Sequence, residues 1–212
     1  MTYQEIIDYA NTLIDDYRNP FMDDVRMSKL LYDSIMEFVK QAYMQGEQSE
    51  YRREDLVGLV KTHTFGGGAT LELSDIDDFM FAFNLSGTFT DPCNDQATIT
   101  RAIRPVKLDR INVILLDTFE SPDNYYPVYT QKNDSVLGNI LTVYSTDAPT
   151  ASVMAYIALP VNPENADLDY DSPETSEETH LEIGKILARK IMEVTEDFNR
   201  YPLAQNEIQL QR

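Results

Sequence analysis

Asp167, Asp169, Asp171 and Glu178 stand at the first, third, fifth and twelfth places of a calcium-loop pattern, in which alternating carboxylates converge on one divalent cation. The sixth place, where glycine permits the sharp turn, is Ser172. Pro173 follows it, and Pro160 and Pro163 oppose an entering helix. The expectation is a solvated acidic loop. Asp75, Asp77 and Asp78 form a second carboxylate group with no histidine or further acid at supporting spacing, so a turn or a helix cap is expected there. His63, His180 and Cys93 are the only histidines and the only cysteine. A zinc site would need them brought together from distant segments, and no local signature marks a cysteine nucleophile with a histidine base. Gly66-Gly67-Gly68 lacks the Gly-Lys-Ser/Thr ending of a phosphate loop, and no Gly-x-Ser-x-Gly elbow occurs. The sequence is therefore expected to hold no catalytic, metal or cofactor-binding residues and to be no enzyme. A metal-dependent hydrolase built from the acidic clusters is the weaker alternative.

Charge carries more information. Thirty-six acids against 17 bases give a formal net charge of -19, which opposes attraction to nucleic-acid phosphates and to an anionic membrane surface. Against that background Arg101, Arg104, Lys107 and Arg110 cluster in one short stretch, while the segment from Pro163 to Glu182 carries eight acids and neither lysine nor arginine. A solvated strand face explains the basic cluster in the plainest way. The sharper reading sets Arg101, Arg104, Lys107 and Arg110 of one copy against Asp167, Asp169, Asp171 and Glu174 of the next, as candidate subunit-contact residues. Complementary patches at different places on one chain generate head-to-tail contacts, which close into rings when the rotation allows.

The elements that must position these residues are read from periodicity and caps. Thr2 with Glu5 matches a capping box, followed by a helical stripe of Ile6, Tyr9, Ala10, Leu13 and Tyr17. Asn19-Pro20 stops that helix. Asp23 or Asp24 caps a second, whose stripe is Leu31, Ile35, Phe38, Val39 and Ala42, and the two helices are expected to pair. Leu56 to Val60 is a short apolar run before the glycine loop. Strands are expected over Phe79 to Phe89, Arg104 to Leu116, Val128 to Thr130, Ile140 to Tyr144 and Ser152 to Leu159, as an antiparallel meander. Thr175 with Glu178 forms another capping box, opening a helix with the stripe Gly184, Leu187, Ala188, Ile191, Val194 and Phe198. The fold class is thus α+β: an N-terminal helical pair (1–48), an α+β ring-forming domain (49–201) whose C-terminal amphipathic helix packs on the central antiparallel sheet or on neighbours, and a polar tail (202–212). One cysteine, no signal-like N-terminus and no spanning-length apolar run lead to the expectation of a soluble, untargeted protein that folds in the cytosol.

In the order Ala102-Ile103-Arg104-Pro105-Val106, Asp117-Thr118-Phe119-Glu120-Ser121-Pro122, Pro127-Val128-Tyr129, Ile140-Leu141-Thr142-Val143-Tyr144 and Ala155-Tyr156-Ile157-Ala158-Leu159-Pro160, closed by the amphipathic helix, the chain resembles neck ring proteins of tailed bacteriophages, particularly crAss-like phages. The resemblance covers roughly Leu56 to Tyr201. It implies a virion structural protein, assembled in the host bacterial cytoplasm, that forms a ring matching a twelvefold portal. The ring would join the head to the tail and let DNA pass as cargo. Its implied partners are copies of itself, the portal protein and adjacent neck or tail rings, with no membrane and no active site. A monomeric acidic adaptor or inhibitor, mimicking DNA through its carboxylates, is the alternative.

Overall fold

The structure, a computed structural model, describes residues 1–14, 23–46, 54–134, 138–169 and 171–194. It is an α+β protein whose chain separates into two compact units. One combines the two ends of the chain, up to Leu59 and from Pro160 onward, and the other is continuous from Val60 to Leu159. Among the described residues no helix is long and apolar enough to cross a membrane.

The first unit is helical. Helix α1 (Tyr3–Ile14) opens on the expected capping box: the Thr2 amide donates to Glu5 Oε2 at 2.9 Å, and the Glu5 amide donates to Thr2 Oγ1 at 3.2 Å. Helix α2 (Asp24–Gly46) is capped by Asp23, whose Oδ1 accepts the Arg26 amide at 2.7 Å. The third helix of this unit, His180–Val194, packs against both α1 and α2, which touch it far more than they touch each other. Both helices of the expected N-terminal pair are present. Each finds its apolar partner in the C-terminal helix, because burying a stripe against a third helix satisfies both at once. The stripes meet as Ile6, Ile7 and Ala10 of α1, Leu31, Ile35 and Phe38 of α2, and Ile183, Leu187 and Ile191 of the C-terminal helix, all buried. On α1 the buried row also takes Tyr3 and Ile14, whereas Leu13 is exposed. Tyr17 and Phe198, placed on stripes by periodicity, lie outside the described residues. Glu37 of α2 accepts hydrogen bonds from Arg189 and, at 2.9 Å, from Lys190. Burial alone would raise the Glu37 carboxyl, but these two cations outweigh it and hold it below the usual range.

The second capping box does not form. Ser176, one residue beyond Thr175, stands at the N-cap position of a short 3-10 turn (Glu177–Thr179) that leads into the helix, without a side-chain cap bond, and Thr175 Oγ1 is buried without a partner among the described residues. The Thr179 hydroxyl donates to the Ser176 carbonyl instead, at 2.7 Å.

The second unit is a seven-stranded sheet among the described residues: β1 (Val60–Phe65), β2 (Thr70–Glu72), β3 (Phe79–Asp91), β4 (Asn94–Pro105), β5 (Val128–Asp134), β6 (Gly138–Tyr144) and β7 (Ala151–Ala158), in the order β1-β7-β3-β4-β5-β6-β2. Phe65 of β1 and Leu71 of β2, from opposite edges, share one core with Leu85, Phe89, Ile103, Leu141 and Met154, so the sheet curls around a common interior. Gly68, at φ +145°, turns the chain between the two edge strands, a conformation that L side chains rarely adopt.

Two expectations are corrected here. The sheet is mixed and no simple meander, because β4 runs parallel to β5 where Arg104 and Pro105 pair with Val128 and Tyr129. Arg104 to Leu116 is not one strand: β4 ends at Pro105, and Leu108–Leu116 forms a helix, α3, making the C-terminal helix α4. Parallel neighbours need a crossover connection, and α3 lies within it. Proline removes an amide donor from the ladder and stops the strand there.

Candidate functional site

Strand alternation and the β4-to-α3 switch decide where the four bases go. Arg101 and Arg104 are three residues apart on β4, so they leave opposite faces of the strand. Arg101 lies over the Tyr125 ring, 5.5 Å from its centroid. The Tyr125 hydroxyl donates to Asp91 Oδ1 at 2.8 Å and sits 3.5 Å from Cys93 Sγ; these two neighbours push its ionisation well above the ordinary phenol range. Cys93 therefore sits beside a tyrosine and a carboxylate. The two histidines are engaged elsewhere: the His63 ring packs edge-on against Phe65, and His180 Nδ1 pairs with the Met1 ammonium at 3.1 Å. Arg104 stands at the end of β4, Lys107 at the N-cap of α3, and Arg110 in its first turn. All three are exposed, and among the described residues none has a salt-bridge partner. The basic cluster thus divides into one arginine stacked within the unit and three cations gathered at the strand-to-helix junction.

That junction carries a surface not foreseen from the sequence. Helix α3 buries one residue, Ile111, while Leu108, Val113, Leu115 and Leu116 are exposed. At about 3.6 residues per turn, Val113 and Leu116 lie across the helix from Ile111. The loop that follows places Phe119 98% exposed and Tyr126 66% exposed. Phe119, Tyr126 and Arg104 line a cavity of about 470 Å³ together with Val106, Ile114 and Val128.

The loop is held in place by its own polar side chains. Asp117 Oδ1 accepts the Phe119 amide at 2.8 Å, and Asp123 Oδ1 accepts the Tyr125 and Tyr126 amides at 2.8 and 2.7 Å. Asn124, almost fully buried, donates to the Thr90 carbonyl and to Asp147 Oδ2 and accepts the Asp147 amide, at 3.0, 2.9 and 3.0 Å. Exposed aromatic groups are therefore displayed on an ordered support.

The acidic residues sit in the helical unit. The Tyr3 amide donates to the Asp171 carbonyl at 2.9 Å and the Gln4 amide to the Leu168 carbonyl at 2.8 Å, so backbone of the acidic loop satisfies first-turn donors of α1. Within the loop, Asp171 Oδ2 accepts the Asp167 amide at 2.8 Å and Asp167 Oδ1 accepts the Asp169 amide at 3.2 Å. These carboxylates close their own turn, where a calcium loop would aim them at a common centre. Among the described residues no group of three or more His, Cys, Asp or Glu gathers as a metal-ligand set. The Tyr3 phenol is pushed up to about 12 by burial first, and then by the charges of Glu174 and Asp171. Of the other aspartate group, Asp75 ends a 3-10 turn (Leu73–Asp75), while Asp78 accepts from Lys61 at 2.7 Å and from the Tyr156 hydroxyl at 2.8 Å. Lys61 holds the Asp78 carboxyl below the usual range against the opposing effect of burial.

Compared with known protein families and with curated proteins, the chain matches no family model and no curated sequence.

Proposed function

We propose that this chain is a structural protein of a tailed-phage virion, one subunit of a ring in the neck that connects the portal to the tail and lets DNA pass. The observation that carries the reading is the surface at the β4–α3 junction. Leu116 is 87% exposed and Phe119 98%, on an ordered helix and loop beside Arg104, Lys107 and Arg110. Large apolar side chains grouped at the surface of a folded protein mark places where another macromolecule sits. The sequence resemblance to phage neck ring proteins supplies the kind of assembly.

The charge balance supports the same reading. A ring around moving DNA functions best if it does not grip phosphates, because each neutralised phosphate strengthens non-specific binding by counterion release. Copies that each carry -19 repel one another, so a ring needs apolar burial and cations at its contacts. The partners are copies of this chain, the portal and adjacent neck or tail rings. The location is the virion neck or tail, after assembly in the host cytoplasm. Mass measurement on the purified chain and electron microscopy of the particle test the proposal: a closed multi-copy ring at the neck supports it. A chain that is single in solution and missing from the particle is instead the acidic adaptor.

A further inference from the structure

We propose that the α3 surface of one copy docks the acidic segment 163–182 of the next, with Leu116 and Phe119 as the apolar anchors and Arg104, Lys107 and Arg110 as the charged rim. The inference rests on the ring-forming reading and names the contact that builds the ring.

Three observations converge on this contact. The α3 surface is apolar at its centre, since Val113 and Leu116 project away from the buried Ile111 and Phe119 stands fully in solvent. Its support is ordered by Asp117, Asp123 and Asn124, so few side-chain and loop freedoms remain to be lost on docking. Its rim holds three cations without salt-bridge partners among the described residues, in a chain with an excess of 19 acids. The complementary surface is on the same chain. Between Pro163 and Glu182 eight acids occur without one lysine or arginine. The backbone of this segment is fixed to α1 through the carbonyls of Leu168 and Asp171. Its Asp167, Asp169, Asp171 and Glu174 have no salt-bridge partner among the described residues. Leu168, half-buried, offers an apolar side chain amid them.

Charge complementarity selects a second copy over nucleic acid as occupant. Phosphates would meet the same three cations, but they would also meet the repulsion of the whole chain. Arg101 drops out of the contact, because its guanidinium is stacked on Tyr125 and leaves β4 from the face opposite Arg104. The donor and acceptor surfaces are different patches, so the contact is head-to-tail. Each copy uses both patches once, and closure of the rotation gives a ring in which no patch is left open.

The test uses the full chain with Phe119 replaced by benzoylphenylalanine, prepared from mixed heavy- and light-isotope copies, irradiated and mapped by mass spectrometry. The proposal expects cross-links into residues 163–182 that join a heavy copy to a light one. In parallel, Leu116→Ser with Phe119→Ser should raise the half-assembly concentration by roughly tenfold or more, since central anchors carry most of an interface's affinity. Both side chains are exposed, so an unchanged melting temperature and circular dichroism spectrum will show that the fold is intact. Met44→Ser, which removes an exposed side chain of α2, should leave assembly unaltered. If the wild type assembles while cross-links fall elsewhere and the double variant assembles equally well, this contact is overturned and the ring reading stands. A wild type that stays single alone and in the particle overturns both.

Discussion

Gly58 lies in a short 3-10 turn (Val57–Leu59) where the chain passes close to Glu174 of the acidic segment. A Cβ at this position would stand 1.9 Å from the Glu174 carbonyl oxygen and 3.0 Å from its carbon. Ordinary contact begins at 3.4 Å, so the two backbones would have to part by about 1.5 Å. The obstructing atom is main chain and cannot rotate away. Overpacking of this kind costs about 1–3 kcal/mol, and the case at hand belongs near the upper end. Separation would also lose the long bond, 3.4 Å, from the Ser176 amide to the Asp55 carbonyl, worth about 0.5 kcal/mol. Against this, alanine restricts the unfolded chain and returns about 0.4–1 kcal/mol. Gly58→Ala should therefore destabilise the helical unit by about 2–3 kcal/mol, which lowers the melting temperature by roughly 5–10 °C at this chain length. Gly66→Ala is the matched control, because a Cβ there meets nothing within 4 Å. It should be neutral or slightly stabilising. Calorimetry and hydrogen exchange across residues 1–59 and 160–194 provide the readout. If Gly58→Ala melts together with the wild type, the close approach to Glu174 is refuted, and with it the fixed position assigned to the acidic segment.

Two further outcomes are expected. His180 is held neutral by burial and then by the Met1 ammonium, its pKa lying below the ordinary 6.5. The unfolded chain takes up that proton as pH falls through 6.5, so this contribution to stability is full above that pH and declines below it. Chemical denaturation from pH 8 to pH 5 should show the decline, reduced in His180→Gln; an identical slope in the variant contradicts the assignment. Thr2→Ala removes the side chain that accepts the Glu5 amide and should cost about 1 kcal/mol in the same assay. No loss would mean that the cap contributes nothing to α1.

Local chemistry was readable in the sequence at the N-terminal caps but not at Thr175 and Glu178, whose capping box does not form, and non-local packing was not readable. The Thr2–Glu5 box and the Asp23 cap depend on residues three apart, and both stand in the structure as expected. The stripe of Leu31, Ile35, Phe38, Val39 and Ala42 was readable for the same reason, since its period reports one buried face. What that face packs on is settled by a helix more than 130 residues later, which no local pattern encodes. The stretch from Arg104 to Leu116 misled because β-branched and aliphatic residues suit a buried strand as well as a helix. Its exposed leucines and valine give it no clean helical stripe. Pro105 was the signal that could have divided it. The four bases were visible as a cluster, but strand alternation and the stacking of Arg101 on Tyr125 separate that residue from the other three. Leu116 and Phe119 went unseen as surface residues, since apolar side chains announce burial until a fold shows them in solvent.

The most direct measurement is the mass of the full-length chain over a concentration series, taken beside images of the particle neck. A ring-forming chain gives one closed multi-copy species in solution and a matching ring between portal and tail. A single-copy mass at every concentration, with no density for this chain in the particle, would contradict it.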